Sequence, residues 1–401
     1  MTYFGFLRDN ARWLSASYLL AMFSGFGQTF FISLSAGDLR AEFGLSHGDL
    51  GLLYMLATLG SALALPYVGK SLDHFPVQKI AMVVIAGFAL FCLALANAFA
   101  VWMVALSFFG LRLCGQGMMT HTAITAAGRW FSAQRGRAVS IAMLGFPTAE
   151  ALFPLCFVIL SASIGWRGAW TLSALILVLA AMPVLFVLLA KDRIPSAAEV
   201  ASASIGGKQW TRGEVLRDPR FWLVSMGVNA PAFIGTAVLF HQVYLVELRG
   251  WSLEVFASAF LFMASGVVGA SLIVGPLIDR FSARRLLPYA LLPLCVGCLV
   301  LANVHAQVAA FVFLGLVGVG NGFNGTLIGA FWPEVYGTRY MGAIRAVAFS
   351  IMVFASAAGP GLVGWLIDIG VSFDVQVLGM SLYCLVFTAV LALMSRAYAR
   401  H

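Results

Sequence analysis

Two ionisable side chains stand alone in long charge-free stretches of this sequence. Between Lys79 and Arg129 lie 49 residues, and Arg112 is the only charge among them. Between Arg137 and Arg167 lie 29 residues, and Glu150 is the only charge. An arginine offers a planar, permanently charged donor fork that suits a carboxylate. A carboxyl group in apolar surroundings can take up and release a proton: desolvation favours the acid and a nearby cation favours the anion. The chemistry of this pair is therefore recognition of an anion and movement of a proton. One cationic group argues for a monoanion or a zwitterion over a dicarboxylate. An enzyme would need clustered acids, bases or metal ligands at one depth, which a lone Arg–Glu pair does not supply. No catalytic residue, metal or cofactor is expected.

The elements that must hold these residues are long apolar helices. The chain has 401 residues, 61% hydrophobic and 10% charged, with a mean hydropathy of +0.95. A soluble domain carries about 25% charged residues, so the solvent expected here is a lipid bilayer. Charge-free runs such as 13–37 and 50–69 have the roughly 20-residue length that crosses hydrocarbon. Twelve spans are expected, near 13–36, 50–69, 80–99, 101–127, 138–162, 171–190, 220–245, 254–276, 286–303, 307–333, 346–367 and 376–397. Arg112 then lies mid-way along span four and Glu150 along span five. A charge at such depth costs about 2.5–3.5 kcal/mol on insertion scales, so each must face protein or water. Arg112 is expected to look into a water-filled vestibule.

The two can simply neutralise each other inside the N-terminal bundle, because spans four and five run antiparallel. Yet a buried ion pair is often a poorer stabiliser than apolar packing, which favours function. In the working cycle, ionised Glu150 neutralises Arg112. A proton taken up by Glu150, or counterflow of a second anion, releases Arg112 to hold the substrate.

The hydrophobic map also repeats. At an offset of 206, Gly44, Gly69, Asp73 and Leu95-Ala96-Asn97 meet Gly250, Gly275, Asp279 and Leu301-Ala302-Asn303. At 205, Gly110, Gly115 and Gly117 meet Gly315, Gly320 and Gly322. Such a period predicts two pseudo-symmetric six-helix bundles, 1–190 and 220–401, joined by a polar linker at 191–219, as in alternating-access transporters. With the N-terminus inside, cytoplasmic segments hold 20 of the 24 Lys and Arg, which places both termini in the cytoplasm of a cell (inner) membrane. The net charge of +8 records this topology, and nucleic acid is not an expected partner. The first apolar run reads as an uncleaved helix. The six cysteines read as buried hydrophobes, and a monomer suffices.

The second copy of the turn after its second span reads Gly275-Pro-Leu-Ile-Asp279-Arg280-Phe-Ser-Ala-Arg284-Arg285. The first reads Gly69-Lys-Ser-Leu-Asp73-His74. With Arg135-Gly136-Arg137, Trp332-Pro333-Glu334 and the twelve spans, these resemble the major facilitator superfamily over essentially the whole chain. The family signature is Gly-x-x-x-Asp-(Arg/Lys)-x-Gly-(Arg/Lys)-(Arg/Lys); Ser282 replaces its second glycine and His74 its first base. The resemblance implies an all-α major facilitator fold, and gating roles for Gly69, Asp73, Gly275, Asp279, Arg280, Glu334 and Arg345. Glu334 is expected to pair with Arg339 or Arg345. Its flavour is that of the oxalate/formate and monocarboxylate porters, a small-organic-anion carrier using proton symport or anion exchange. A proton-coupled exporter of drugs or other amphipathic compounds is the rival.

Polar neighbours complete the expected site. Gln116, four residues after Arg112, shares its helix face, and the Arg112…Gln116-Gly117 run resembles the family's fourth-span motif with Gln-Gly displaced by one. Gln28 lies in span one beside Gly25 and Gly27, Asn229 two residues before Pro231, and Asn321 and Asn324 on one face of span ten. These amides are split between substrate contact and helix–helix bonding. His241, near Tyr244, is a candidate outer-gate residue. Pro147 and Gly359-Pro360-Gly361 are expected to break their helices.

Overall fold

Backbone in hydrocarbon must satisfy its own hydrogen bonds, and an apolar run achieves this as a helix. The computed structural model describes residues 3–131, 134–191, 193, 210–337 and 340–398, and every element among them is helical. Residues 192 and 194–209 of the expected linker lie outside the described residues. Among the described residues, ten helices are long and apolar enough to cross a membrane. A further pair, Ala11–Gly27 and Thr29–Phe43, bent by 42°, forms span one. The Gly136–Leu188 stretch changes direction at Gly165 (φ 72°, ψ 164°) and so holds spans five and six. Twelve crossings result. The others are His47–His74 (span two), Val77–Ala96 (three), Val101–Trp130 (four), Pro219–Phe240 (seven), Leu253–Phe281 (eight), Ala283–Asn303 (nine), Val308–Tyr336 (ten), Ile344–Asp368 (eleven) and Phe373–Tyr398 (twelve).

The chain divides into two compact units. One comprises Met1–Gly44 and Leu56–Ser204, the other Leu45–Met55 and Ile205–His401. The first turns of span two thus belong with the second unit. Matched turns carry the repeat into three dimensions. Gly44 and Gly250 both end their helices at φ 62°, and Gly165 and Gly370 both turn at positive φ, 72° and 86°. Glycine alone enters that region without strain.

Ion pairs repeat with their signs reversed. In the first unit Arg167 pairs with Glu42 and donates to the Ala98 carbonyl at 2.7 Å. In the second, Arg249 pairs with Asp374 and donates to the Leu301 carbonyl at 2.9 Å. Glu42 and Arg249 both lie in the last turn of the helix that ends at Gly44 or Gly250, and Arg167 and Asp374 both follow shortly after the turn at Gly165 or Gly370.

Several sequence expectations are corrected. Gly359-Pro360-Gly361 does not break span eleven: the helix runs from Met341 to Asp368 with Pro360 inside it. The glycines there admit a neighbouring backbone instead. The joint near Pro147 falls at Leu144, between Arg135–Met143 and Gly145–Ile176. Pro147 sits in the opening turn, where its missing N–H is tolerated. Where the linker re-enters the described chain, Thr211 and Glu214 form the expected capping box.

Ser282, standing where the family signature has glycine, has φ 74° and ψ 152°. Such a conformation is nearly confined to glycine and costs about 1–3 kcal/mol. Its hydroxyl is also buried without a hydrogen-bond partner. We expect Ser282→Gly to raise the thermal midpoint of the purified protein, and unchanged or lowered stability would contradict the strain.

Candidate functional site

Span one breaks where its glycines cluster. Ser24–Gly27 tightens to a 3-10 turn, and Gln28 is extended at φ −89°, ψ 156°. The helix restarts around Gln28, whose carbonyl takes the amides of Phe31 (3.1 Å) and Ile32 (3.0 Å). In an unbroken helix the Phe31 amide would bond the Gly27 carbonyl. That carbonyl is left to find another donor, and Arg112 supplies it: Nη1 lies 3.3 Å from Gly27 O and 3.5 Å from Thr29 Oγ1.

Arg112 opens an equally irregular segment. Arg112–Met119 is π-helical, between α-helical Val101–Leu111 and Thr120–Trp130. π-Helical turns recur at functional sites, and Gly115 and Gly117 make this one easier to form. The two irregular segments cross backbone to backbone. A β-carbon on Gly27 would overlap the Leu111 carbonyl and the Gly115 Cα, and one on Gly115 would meet Gly27 in turn. Aromatic side chains fix the break from its other side. Phe26 stacks on Phe153 with ring centroids 4.5 Å apart, and Phe31 meets Phe157 and Trp170 edge-on at 5.0 and 5.1 Å. Trp170 Nε1 then donates to Ser35 Oγ at 2.8 Å.

Arg112 is 1% exposed. It faces protein in this conformation and not the expected vestibule, because the freed Gly27 carbonyl draws the guanidinium inward. Glu150 is also buried, beside Ala149, which packs against Gly25. The expected Arg112–Glu150 pair is not formed: Glu150 has no ion pair or hydrogen bond among the described residues. Gln28, 5% exposed, keeps its amide nitrogen without a partner. Gln116 is half-buried on the π-helical segment.

The second unit carries amides and no charge at the matching depth. Span seven breaks at Asn229, which ends Pro219–Val228 and opens Ala230–Phe240. Pro231, lacking an N–H, is responsible. Asn229 Nδ2 is spent on Ser225 O of its own helix (2.8 Å), whereas Asn324 Nδ2 crosses from span ten to Val228 O (2.8 Å). Asn324 Oδ1 is buried without a partner. Asn321 is half-buried one turn earlier. His241 forms a second joint in span seven and bonds Pro360 O through Nε2 at 3.1 Å.

The signature turns are held inside their own units. Arg129, at the end of span four, pairs with Asp73 at 2.6 Å and donates to Leu72 O at 2.6 Å. It takes the place of the base missing at His74, which is exposed. Gly69 is buried, and a β-carbon there would touch the His121 ring. In the second unit Glu334 accepts from the Ala283 amide at 2.8 Å and lies 3.8 Å from Arg284 Nε. Its partner is therefore the signature turn, and not Arg345, which donates to Gly329 O. Arg339 lies outside the described residues. Arg129 and Glu334 correspond at the 205 offset, and each binds its own signature turn at a different point, Arg129 at Leu72 and Asp73, Glu334 at Ala283 and Arg284. Asp279 and Arg280 are exposed, and Arg280 lies over the Phe281 ring. Gly275 is half-buried, with open space where a β-carbon would go.

A twice-repeated set of six membrane helices, broken where polar residues gather, is the build of a secondary transporter. The chain belongs to the Major Facilitator Superfamily, whose sequence profile matches residues 17–360. Its family and its long apolar helices make it a multi-pass membrane protein of the transporter type. It is 31% identical to an MFS-type efflux pump of Mycolicibacterium smegmatis over 290 residues, which cover 68% of this chain and 65% of that pump. It is 24% identical to a gallate transporter of Pseudomonas putida over 421 residues, 96% of this chain and 91% of the relative. Among solved structures, a bacterial homologue of the human lysosomal transporter Spinster, inward-facing and unoccupied, superposes with a TM-score of 0.72 at 17% identity, covering 98% of each chain. The nucleoside transporter NupG gives 0.68 at 12% identity, covering 98% of this chain and 99% of that one. At these identities the structures share the fold alone.

Sequence reading missed the carbonyl of Gly27 and the hydroxyl of Thr29, although the Gly25/Gly27 pair before Gln28 was a usable signal. Because Gly27 and Gly115 leave no room for a methyl group, Gly27→Ala should cost about 1–3 kcal/mol by overpacking. We expect a lower thermal midpoint together with loss of transport in vesicles. Wild-type behaviour in both assays would show that this crossing can relax.

Proposed function

We propose that this protein is an alternating-access carrier of a small organic anion of the monocarboxylate class, bound through Arg112. The observation that carries the reading is the setting of Arg112, a single permanent cation at a helix break. Its contacts to Gly27 O and Thr29 Oγ1 are long, near the limit for hydrogen bonds. A carboxylate accepts charge-assisted bonds about twice as strong, so a solute reaching the site can displace them. Gln28 offers a buried amide donor next to the same two residues, and Gln116 a further one on span four. In the second unit Asn229, Asn321 and Asn324 supply neutral hydrogen bonds without a second cation, which suits a monoanion. The relative that carries gallate, itself a carboxylate, supports this substrate class.

Glu150, buried and outside ion-pair range of the cations among the described residues, is the carrier of a coupling proton; anion exchange is the alternative drive. Gly69, Asp73, Gly275, Asp279, Arg280, Glu334 and Arg345 act in gating at the signature end, and His241 at the other. The protein works as a monomer in the inner membrane with both termini in the cytoplasm, consistent with its charge bias. A second reading, export of amphipathic compounds, is favoured by the 31% identical efflux pump.

Thermal-shift measurements on the purified protein with carboxylates, amino acids and cationic drugs separate the two. We expect carboxylates to stabilise it, and Arg112→Gln to weaken their binding by about 10–100-fold, the worth of a hydrogen bond to a charged group. Stabilisation by drugs that persists in Arg112→Gln would transfer the assignment to the exporter. In vesicles, Glu150→Gln should abolish proton-driven uptake and leave anion exchange intact. Unchanged proton-driven uptake would remove Glu150 from coupling.

A further inference from the structure

Span ten, in the second unit, has one face that is sealed at both ends and open between them. Leu314, Asn321, Gly325 and Trp332 follow at intervals of seven, four and seven residues and so share that face. Leu314 is 0% and Trp332 1% exposed. Between them Asn321 is half-buried and Gly325 exposed, and a β-carbon on Gly325 would meet nothing within 4 Å. Other sides of the helix are packed: Gly318 and Gly322 admit the span-eight backbone at Met263 and Val267, and Gly297 of span nine meets Phe313 and Leu316. What remains is a notch mid-way along a membrane helix. Asn324, one turn after Asn321, stands at its edge.

The break in span seven fixes which way the Asn324 amide points. Pro231 has no N–H, and the amides of Ala232 and Phe233 both turn to Asn229 O, each at 3.1 Å. Val228 O thereby loses the helical bond that Ala232 would give it, and Asn324 Nδ2 supplies one from span ten at 2.8 Å. Exchanging the two arms of the amide would set acceptor against acceptor, so Nδ2 faces span seven and Oδ1 turns away from it. Oδ1 is buried without a hydrogen-bond partner. Polar groups close by in sequence are already engaged: Thr326 gives its hydroxyl proton to Gly322 O at 2.9 Å, and Asn229 Nδ2 bonds Ser225 O at 2.8 Å. A buried acceptor left unpaired carries the full cost of its desolvation. Carboxylates and carbonyls only accept and cannot relieve it, whereas a hydroxyl or an amine can. Gly325, the next residue, leaves the approach beside it free of any side chain.

We infer that Asn324 is a specificity-determining residue whose Oδ1 accepts a hydrogen bond from the cargo, so that the carried anion bears a hydroxyl or amino group besides its carboxylate. This requirement rests on the reading of Arg112 as the anion site and narrows the class of anion. A plain alkyl carboxylate leaves Oδ1 unpaired; a hydroxylated one pairs it.

Calorimetric titration of the purified, full-length protein tests this with butyrate, its 2-, 3- and 4-hydroxy derivatives and the methyl ethers of those three. At least one hydroxy acid should bind about 5–100-fold tighter than butyrate, the range set by pairing a buried acceptor. Its methyl ether, which keeps the oxygen and loses the proton, should forfeit that advantage. In Asn324→Ala, and separately in Asn324→Leu, the ratio of hydroxy acid to butyrate affinity should fall to unity. A ratio is read, so a general loss of stability does not imitate the effect. If neither variant folds, the methyl ethers decide the matter in the wild type. Hydroxy acids that bind no better than butyrate overturn the proposal, as do methyl ethers that match them or an advantage that survives in a folded Asn324 variant. If no carboxylate binds, the Arg112 reading falls and takes this one with it. If Arg112→Gln binds butyrate as the wild type does, that reading falls and the hydroxyl preference stands alone.

Discussion

A carbonyl set loose by a broken helix and a guanidinium far from water meet at the centre of the first unit, 3.3 Å apart. Neither is tolerable alone: an unpaired backbone acceptor in hydrocarbon costs several kcal/mol, and a lone charge costs as much again. Other features there serve this meeting. Gly27 and Gly115 bring the two backbones together, the π-helical turn sets the start of the arginine side chain, and Phe26, Phe31, Phe153 and Trp170 keep the break in place. The same constraint accounts for the missing Arg112–Glu150 pair. A guanidinium already drawn to span one is not available to span five.

The two units show what a duplicated fold conserves and what it leaves open. Backbone geometry is repeated, as the left-handed glycines at 44 and 250 and at 165 and 370 attest. Charge is not. Glu42–Arg167 answers Arg249–Asp374, and Arg129 at one signature turn answers Glu334 at the other. An ion pair requires only opposite signs at a given separation, so either member can carry either sign. A departure from a family motif, such as His74 or Ser282, is therefore read best against its spatial partners. His74 is covered by Arg129, whereas Ser282 is left with a strained backbone.

Glycine has two uses here that look alike in a sequence. At Gly25 and Gly27 it accompanies a real break; at Gly359 and Gly361 it permits close packing of an unbroken helix. What separates them is the neighbour. Span eleven receives the backbone of Gly48 and Gly51, and span one receives an arginine that can pair a stray carbonyl. Proline is similarly ambiguous: Pro231 breaks span seven, Pro360 leaves span eleven straight enough to continue.

The sequence by itself determined the solvent, the spans, the repeat and the depth of the two lone charges. Hydrophobic run length, charge spacing and a 205–206-residue offset are properties of the chain read in one dimension. It also marked the amide-bearing helices, because polar residues in long apolar runs are few. Tertiary structure alone decided who meets whom: Arg112 with Gly27 and Thr29, Glu334 with Ala283 and Arg284, Asp368 with the amides of His47 and Gly48. These partners lie between 50 and 321 residues apart, and in most of these contacts one member is a backbone amide or carbonyl that every residue carries. Only the folded path of the chain reveals which of those identical groups has been left without its helical bond.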